Sequence, residues 1–173
     1  MPAIPEKPSA HIELIPAAPE QESVLANLLE LYAHDFSEFY PLELGSDGRF
    51  GYEQLSLYWS QPGRYPFIIR ADGKLAGLVL VRKSCGVADA GDIWDIAEFF
   101  ILRAFRRRGI GMKAASAVWE RFPGRWEVRV MQSNRTAFHF WSHAISAFVN
   151  APIEPVHIEK EDVHWQVFTF ESS

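Results

Sequence analysis

The sequence predicts one α/β (α+β) domain around a mixed sheet of about seven strands. Three observations carry that expectation. Hydrophobic spacing switches several times between alternation and helical periodicity. The pair Asp72-Gly73 sits between two apolar runs, as a tight hairpin requires. A nearly unbroken apolar run, IWDIAEFFIL at 93–102, passes through an arginine- and glycine-rich turn straight into a helical pattern.

In chain order, HIELIPA (11–17) alternates and reads as a first strand. A helix is expected over 19–36, because Val24, Leu25, Leu28, Leu29 and Leu31 fall at helical spacing. The aromatic and turn-rich stretch 37–59 reads as a broken or second helix that ends at QPGRYP. PFIIRADGKLAGLVLVRKS (66–84) gives strands two and three around the Asp72-Gly73 turn, since that pair tolerates positive φ. The loop CGVADAGD leads to strand four, whose continuous apolar character places it centrally in the sheet. IGMKAASAVWERF (110–122) puts Met112, Ala115, Val118 and Trp119 on one helical stripe, and PGR stops it. WEVRVMQ (126–132) is a fifth strand. Asn134 is a candidate cap for the helix RTAFHFWSHAISAF, and two strands follow around PIEPVHIEK and VHWQVFTF.

Bulk composition bounds the function. A chain of 173 residues that is 48% hydrophobic can bury one core without staples, so residues 11–173 are expected as a single domain. MPAIPEKPSA (1–10) reads as a flexible leader, not a secretory signal. No run approaches the ~20 apolar residues of a membrane span, and a lone cysteine, Cys85, suits a reducing compartment. A soluble, cytoplasmic protein is the expectation. The net charge of −5 disfavours nucleic acid and anionic membranes as partners, so the arginines serve a local anion.

That anion would bind at 103–111, which holds four arginines and two glycines. A helix start offers unpaired N–H groups and partial positive charge, and glycine lets an anion approach the backbone. Arg106, Arg107 and Arg108 favour a ligand with two or more phosphates, each charge at the helix end adding about 0.3–1 kcal/mol. A solvated, glycine-capped turn is the plain alternative. A phosphate loop would need Gly-Lys-Ser/Thr and a dinucleotide fold a third glycine, and neither is present.

Arg106-Arg107-Arg108-Gly109-Ile110-Gly111 resembles the Gln/Arg-x-x-Gly-x-Gly/Ala signature of the GNAT (GCN5-related) N-acetyltransferases, in the strand–turn–helix context of that family. Asn134 to Trp141, NRTAFHFW, is similar to the family's later Asn-x-x-Ala-x-x-Phe-Tyr segment. The resemblance covers roughly residues 11 to 170. It implies a mostly antiparallel sheet splayed between strands 4 and 5, with helices on both faces. It implies an acetyl-CoA-dependent N-acetyltransferase: the turn Arg106 to Met112 would hold the pyrophosphate of coenzyme A, the strand backbone at Phe99, Phe100 and Ile101 would pair with the pantetheine arm, and Asn134 would contact the cofactor near that arm. The last strands of such proteins commonly mediate a homodimer.

Acetyl transfer to a primary amine needs that amine neutral, and a lysine-like amine has an ordinary pKa of ~10.4. Glu98 and Asp95 are the candidate bases. Strict alternation from Ile101 puts Phe99, Ala97 and Asp95 on one face and Glu98 on the other, whereas a bulge would carry Glu98 to the substrate side. Pairing of Glu98 with a cation such as Arg129 is the competing explanation. Glu127 is a third acid. Where many members of the family have a tyrosine that returns a proton to the leaving thiolate, this chain has Trp141, which leaves Ser142, His139, His143, water or an unassisted departure. Tyr32, Phe36 and Tyr40, in an aromatic and acidic cluster, are candidates for a substrate wall that accepts a small-molecule or peptide amine. Equally, they form a helix face packed on the sheet. The substitution at 141 also motivates a second reading, a coenzyme-A-binding sensor module without turnover.

Overall fold

Alternation in the first half of the chain becomes an antiparallel ladder. A computed structural model describes residues 9–84 and 92–173. Strand β1 (Ile12–Pro16) pairs with β2 (Arg64–Ala71), which pairs in turn with β3 (Lys74–Ser84). The hairpin turn falls at Asp72 and Gly73, with φ of 49° and 77°, the two positive values of a primed turn. Between β1 and β2 lie α1 (Glu22–Phe36) and, after a stretch of turns, the single helical turn α2 (Leu57–Ser60).

The second half supplies β4 (Ile93–Ile101), α3 (Ile110–Arg121), β5 (Gly124–Met131), α4 (Arg135–Val149), β6 (Val156–Lys160) and β7 (Val163–Ser172). The seven strands form one mixed sheet in the order β1-β2-β3-β4-β5-β7-β6. Every pairing is antiparallel except β4 with β5, which are joined by the crossover helix α3. The sheet divides two cores. On one face Leu25, Leu28 and Leu29 of α1 meet Ile68, Leu78, Leu80 and Phe100. On the other, α3 and α4 cover Val79, Val81, Trp126 and Phe168, with Trp119 fully buried.

Some boundaries differ from expectation. The helix foreseen from 19 begins as a 3-10 turn at Pro19–Gln21 and becomes α-helical at Glu22. β5 starts at Gly124, two residues early, because its φ of 126° is open to glycine and its partner Ser172 extends β7. The broken helix of 37–59 reduces to the four residues of α2. Cys85, most of the loop 85–92 and most of the leader lie outside the described residues. Among the described residues no helix is long and apolar enough to cross a membrane.

Candidate active site

β4 and β5 run together for only two residue pairs, Trp94 with Trp126 and Asp95 with Glu127, and then part. From there to Ile101 the β5-facing edge of β4 is unpaired. The N–H of Leu102 donates to the Ala76 carbonyl on the β3 side, so by ladder alternation Phe100 also faces β3, while the backbone groups of Phe99 and Ile101 face the gap. Of these, the Ile101 carbonyl accepts a 2.8 Å bond from Arg106 Nε.

The turn after β4 ends at the uncapped mouth of α3. Gly109 is its N-cap with φ of 73°, and among the described residues no side-chain bond caps the first N–H groups. A Cβ at Gly109 would meet nothing within 4 Å, so the mouth is open. At Gly111 a Cβ would stand 3.0 Å from the Phe140 ring, which explains the second glycine as a packing requirement between α3 and α4. Ile110 is buried and Met112 packs against the core, so their side chains anchor the turn and only their amides face the mouth. Arg107, in the left-handed region at φ 58°, and Arg108, over the Phe105 ring, are exposed. Arg106 is committed elsewhere: besides Ile101 it reaches Asp35 Oδ2 at 2.8 Å, and Arg103 pairs with the other Asp35 oxygen. Asp35 therefore ties the end of α1 to the turn.

The acids are sorted by a bulge. Leu80 pairs with Glu98 but Val81 pairs with Ile96, which leaves Ala97 as the extra residue. Without it Asp95 and Glu98 would lie on opposite faces. With it Glu98 joins Asp95 and Phe100 on the α1 face, while Ile96, Phe99 and Ile101 pack toward α3 and α4. Arg129 pairs with Asp95, not with Glu98 as the competing explanation had it. Asp95 is 2% exposed, and its Oδ2 receives Arg82 Nε at 2.8 Å and Arg129 Nη2 at 3.0 Å. Glu98 instead accepts the Tyr52 hydroxyl at 3.0 Å and hydrogen-bonds Tyr32. Burial raises the Glu98 carboxyl above the ordinary glutamate range, and outweighs the opposing pull of the two hydroxyls and of Arg82. Burial and the Glu98 charge likewise raise both tyrosines, which keeps them protonated as donors.

A cavity of about 470 Å³ occupies the gap. Tyr32, Phe36, Tyr52 and Glu98 line it from the α1 side, and Phe99, Asn134 and Trp141 from the α4 side. Tyr40 is not on its wall; it is 41% exposed and stacks near Phe36. Asn134 Oδ1 caps α4 by accepting from the Ala137 N–H at 3.0 Å. Trp141 is buried against Phe99 and Phe140. His139 and His143 are exposed, and neither they nor Ser142 line the cavity. Glu127 lines a smaller recess on the same face as Arg129. Sequence reasoning missed Arg82, whose only signal was a cation at the end of an apolar strand.

The family decides what this architecture is. The profile of the acetyltransferase (GNAT) family matches residues 25–144. The chain belongs to the GNAT acetyltransferases. Membership implies acyl transfer with acetyl-CoA as the donor. Solved GNAT folds superpose along nearly all of the chain. An acetyltransferase from Thermus thermophilus is 13% identical with a TM-score of 0.65, covering 94% of this chain and 98% of its own. NAA60 of Arabidopsis thaliana in complex with acetyl-CoA is 15% identical with a TM-score of 0.59, covering 93% and 98%. The aminoglycoside acetyltransferase AAC(6')-Ib in complex with coenzyme A is 14% identical with a TM-score of 0.65, covering 93% and 95%. No curated protein sequence matches the chain at a significant level. The GNAT cofactor fits what is present: an uncapped helix mouth with open space at Gly109, and an unpaired strand edge beside a cavity.

Proposed function

We propose that the protein is an N-acetyltransferase that moves an acetyl group from acetyl-CoA to a primary amine by direct transfer, with Glu98 as general base. The observation that carries this reading is the placement of Glu98: a largely buried carboxylate with a raised proton affinity, held by Tyr52, on the wall of the cavity that opens between β4 and β5. A base with a raised value takes a proton from an incoming ammonium more readily than an ordinary glutamate does.

Acetyl-CoA supplies an activated acyl group when bound. The backbone N–H groups of Ile110, Gly111 and Met112, with Arg107 and Arg108, would hold the pyrophosphate, and the gap-facing groups of Phe99 with the N–H of Ile101 would hold the pantetheine amides. Phe100 contributes through its ring, which sits against Tyr32 and Arg106, because its main chain faces β3. Arg106 positions the turn through Asp35 and Ile101. Asn134 lines the cavity with the part of its amide that the cap leaves over. A gap-facing N–H of β4 would polarise the reacting carbonyl. The incoming ammonium would first give one proton to a Glu98 oxygen; the neutral nitrogen would then form the new C–N bond as the C–S electron pair leaves on sulfur, and the nitrogen's second excess proton would pass to solvent or to the departing thiolate. Asp95 is already engaged by two arginines and is left to fix them, so it takes no part as base. Trp141 has no proton to give, and a thiol of ordinary pKa ~8.5 can leave as thiolate with solvent supplying its proton. Tyr32 and Phe36 would form the aromatic wall that meets the amine, while Tyr40 lies outside it beside Phe36.

Thiol release from acetyl-CoA in the presence of a panel of primary amines tests this. Glu98→Gln should lower kcat by about 10²–10⁴-fold while calorimetric affinity for coenzyme A is retained. Undiminished turnover in that variant removes Glu98 as base. The buried indole at 141 keeps a second reading in view, a coenzyme-A-binding module without turnover; tight cofactor binding with no thiol release on the whole panel would favour it.

A further inference from the structure

Arg82 and Arg129 come from different strands, β3 and β5, and converge on a single oxygen of Asp95. Each reaches that oxygen through one nitrogen, Nε of Arg82 and Nη2 of Arg129, although a guanidinium carries five N–H donors in a fork suited to a second carboxylate. The arrangement is not a closed bidentate pair. Asp95 Oδ1 is buried with no hydrogen-bond partner, so neither arginine spans both oxygens. Both arginine side chains keep solvent access, at 30% and 32%.

That exposed surface opens on cavities. Arg82 and Arg129 line the main cavity beside Glu98, and also a recess of about 150 Å³ that Lys160 and Glu127 share. Among the described residues, Arg82, Arg129 and Lys160 stand around the recess against the carboxylates of Asp95 and Glu127. The lining of the main cavity thus carries carboxylates at Glu43 and Glu98 and a positive pole at the arginine pair. A polyamine would bring ammonium groups against Arg82 and Arg129 and be repelled. A molecule with an amine at one end and a carboxylate at the other matches both poles.

We propose that the acceptor is an amine that also carries a carboxylate, an amino acid in the broad sense, and that Arg82 and Arg129 form its anion subsite. The assignment rests on the acetyl-transfer reading and sets the substrate class within it. Asp95 holds the two guanidinium groups close enough together to share the incoming carboxylate, which joins them without displacing Asp95. The amine is then directed to Glu98 and the gap.

The test uses the full chain, acetyl-CoA and a homologous series of ω-amino acids, each beside its carboxamide, with kcat/KM expressed per neutral amine because the carboxylate raises the basicity of the amine in the shorter members. At the best chain length kcat/KM for the carboxylate should exceed that for its amide by about tenfold or more, mainly through KM. Arg129→Gln should collapse that ratio toward one, Arg129→Lys should restore part of it, and melting curves should confirm that both variants fold. Equal kcat/KM for acid and amide throughout, with transfer itself intact, overturns the subsite and leaves the transferase reading standing. If no amine is acetylated, the transferase reading fails and the subsite is judged by titrating the same pairs into the coenzyme-A-loaded protein. Binding of the acid alone, lost in Arg129→Gln, supports it; no difference between acid and amide overturns it.

Discussion

Glu98 and Asp95 are three residues apart and do opposite things because their partners differ. Two hydroxyls meet the buried carboxylate of Glu98, whose burial raises its proton affinity, whereas two guanidinium groups engage one oxygen of its neighbour. Tyr52 favours the ionised form of Glu98, so Tyr52→Phe should raise the Glu98 value further. The acidic limb of kcat/KM against pH, expected above the ordinary glutamate value of about 4.3 in wild type, should then move to higher pH, with the alkaline limb unmoved. An unshifted limb would mean that Glu98 does not govern it. The types of these residues were legible in the sequence, but their sides were not. One unpaired residue, Ala97, brings Asp95 and Glu98 to a common face, and no side-chain pattern marks a bulge whose extra residue is a small alanine. Arg82 was hidden for a related reason, since its partner is a carboxylate on the next strand.

At the scale of elements, the turn after β4 is held from outside by α1. Burial works to raise the Asp35 carboxyl, but hydrogen bonds from Arg103 and Arg106 outweigh it and the net value lies below the ordinary one. Its contribution to stability is therefore present above about pH 3.9 and is lost as pH falls through the lowered native value. Asp35→Asn should lower the melting temperature by about 2–4 °C at neutral pH, and the difference from wild type should shrink in acid. A difference that persists below pH 3 would assign the effect to packing. Gly77 is a second constraint: a Cβ there would lie 2.0 Å from the Phe100 carbonyl oxygen, so β3 and β4 approach closely only because the side chain is missing. Gly77→Ala should cost about 1–3 kcal/mol in denaturant unfolding, and no loss would show that the strands can separate freely. Neither constraint was legible. The hairpin at Asp72-Gly73 and the Asn134 cap were, because a turn or a cap is written in two or three adjacent residues, whereas a contact between distant elements is not.

For the whole molecule, element order carried the fold. Seven strands and most helix positions followed from periodicity, and the resemblance at 106–111 implied a sheet splayed between strands 4 and 5; the structure shows that splay as a parallel β4–β5 pair that separates after two residues. What physics adds is the reason for the parting: β4 continues to Ile101 with its gap-facing amides unpaired, and the helix mouth at Gly109 lies beyond its end. The central claim is that one cofactor completes both features. Calorimetric titration of coenzyme A into wild type, Gly109→Ala and Gly109→Glu tests it most directly. Binding is predicted to survive in the alanine variant, which carries the same strain at positive φ, and to vanish in the glutamate variant while its melting curve remains cooperative. Equal affinity in wild type and Gly109→Glu would contradict the account.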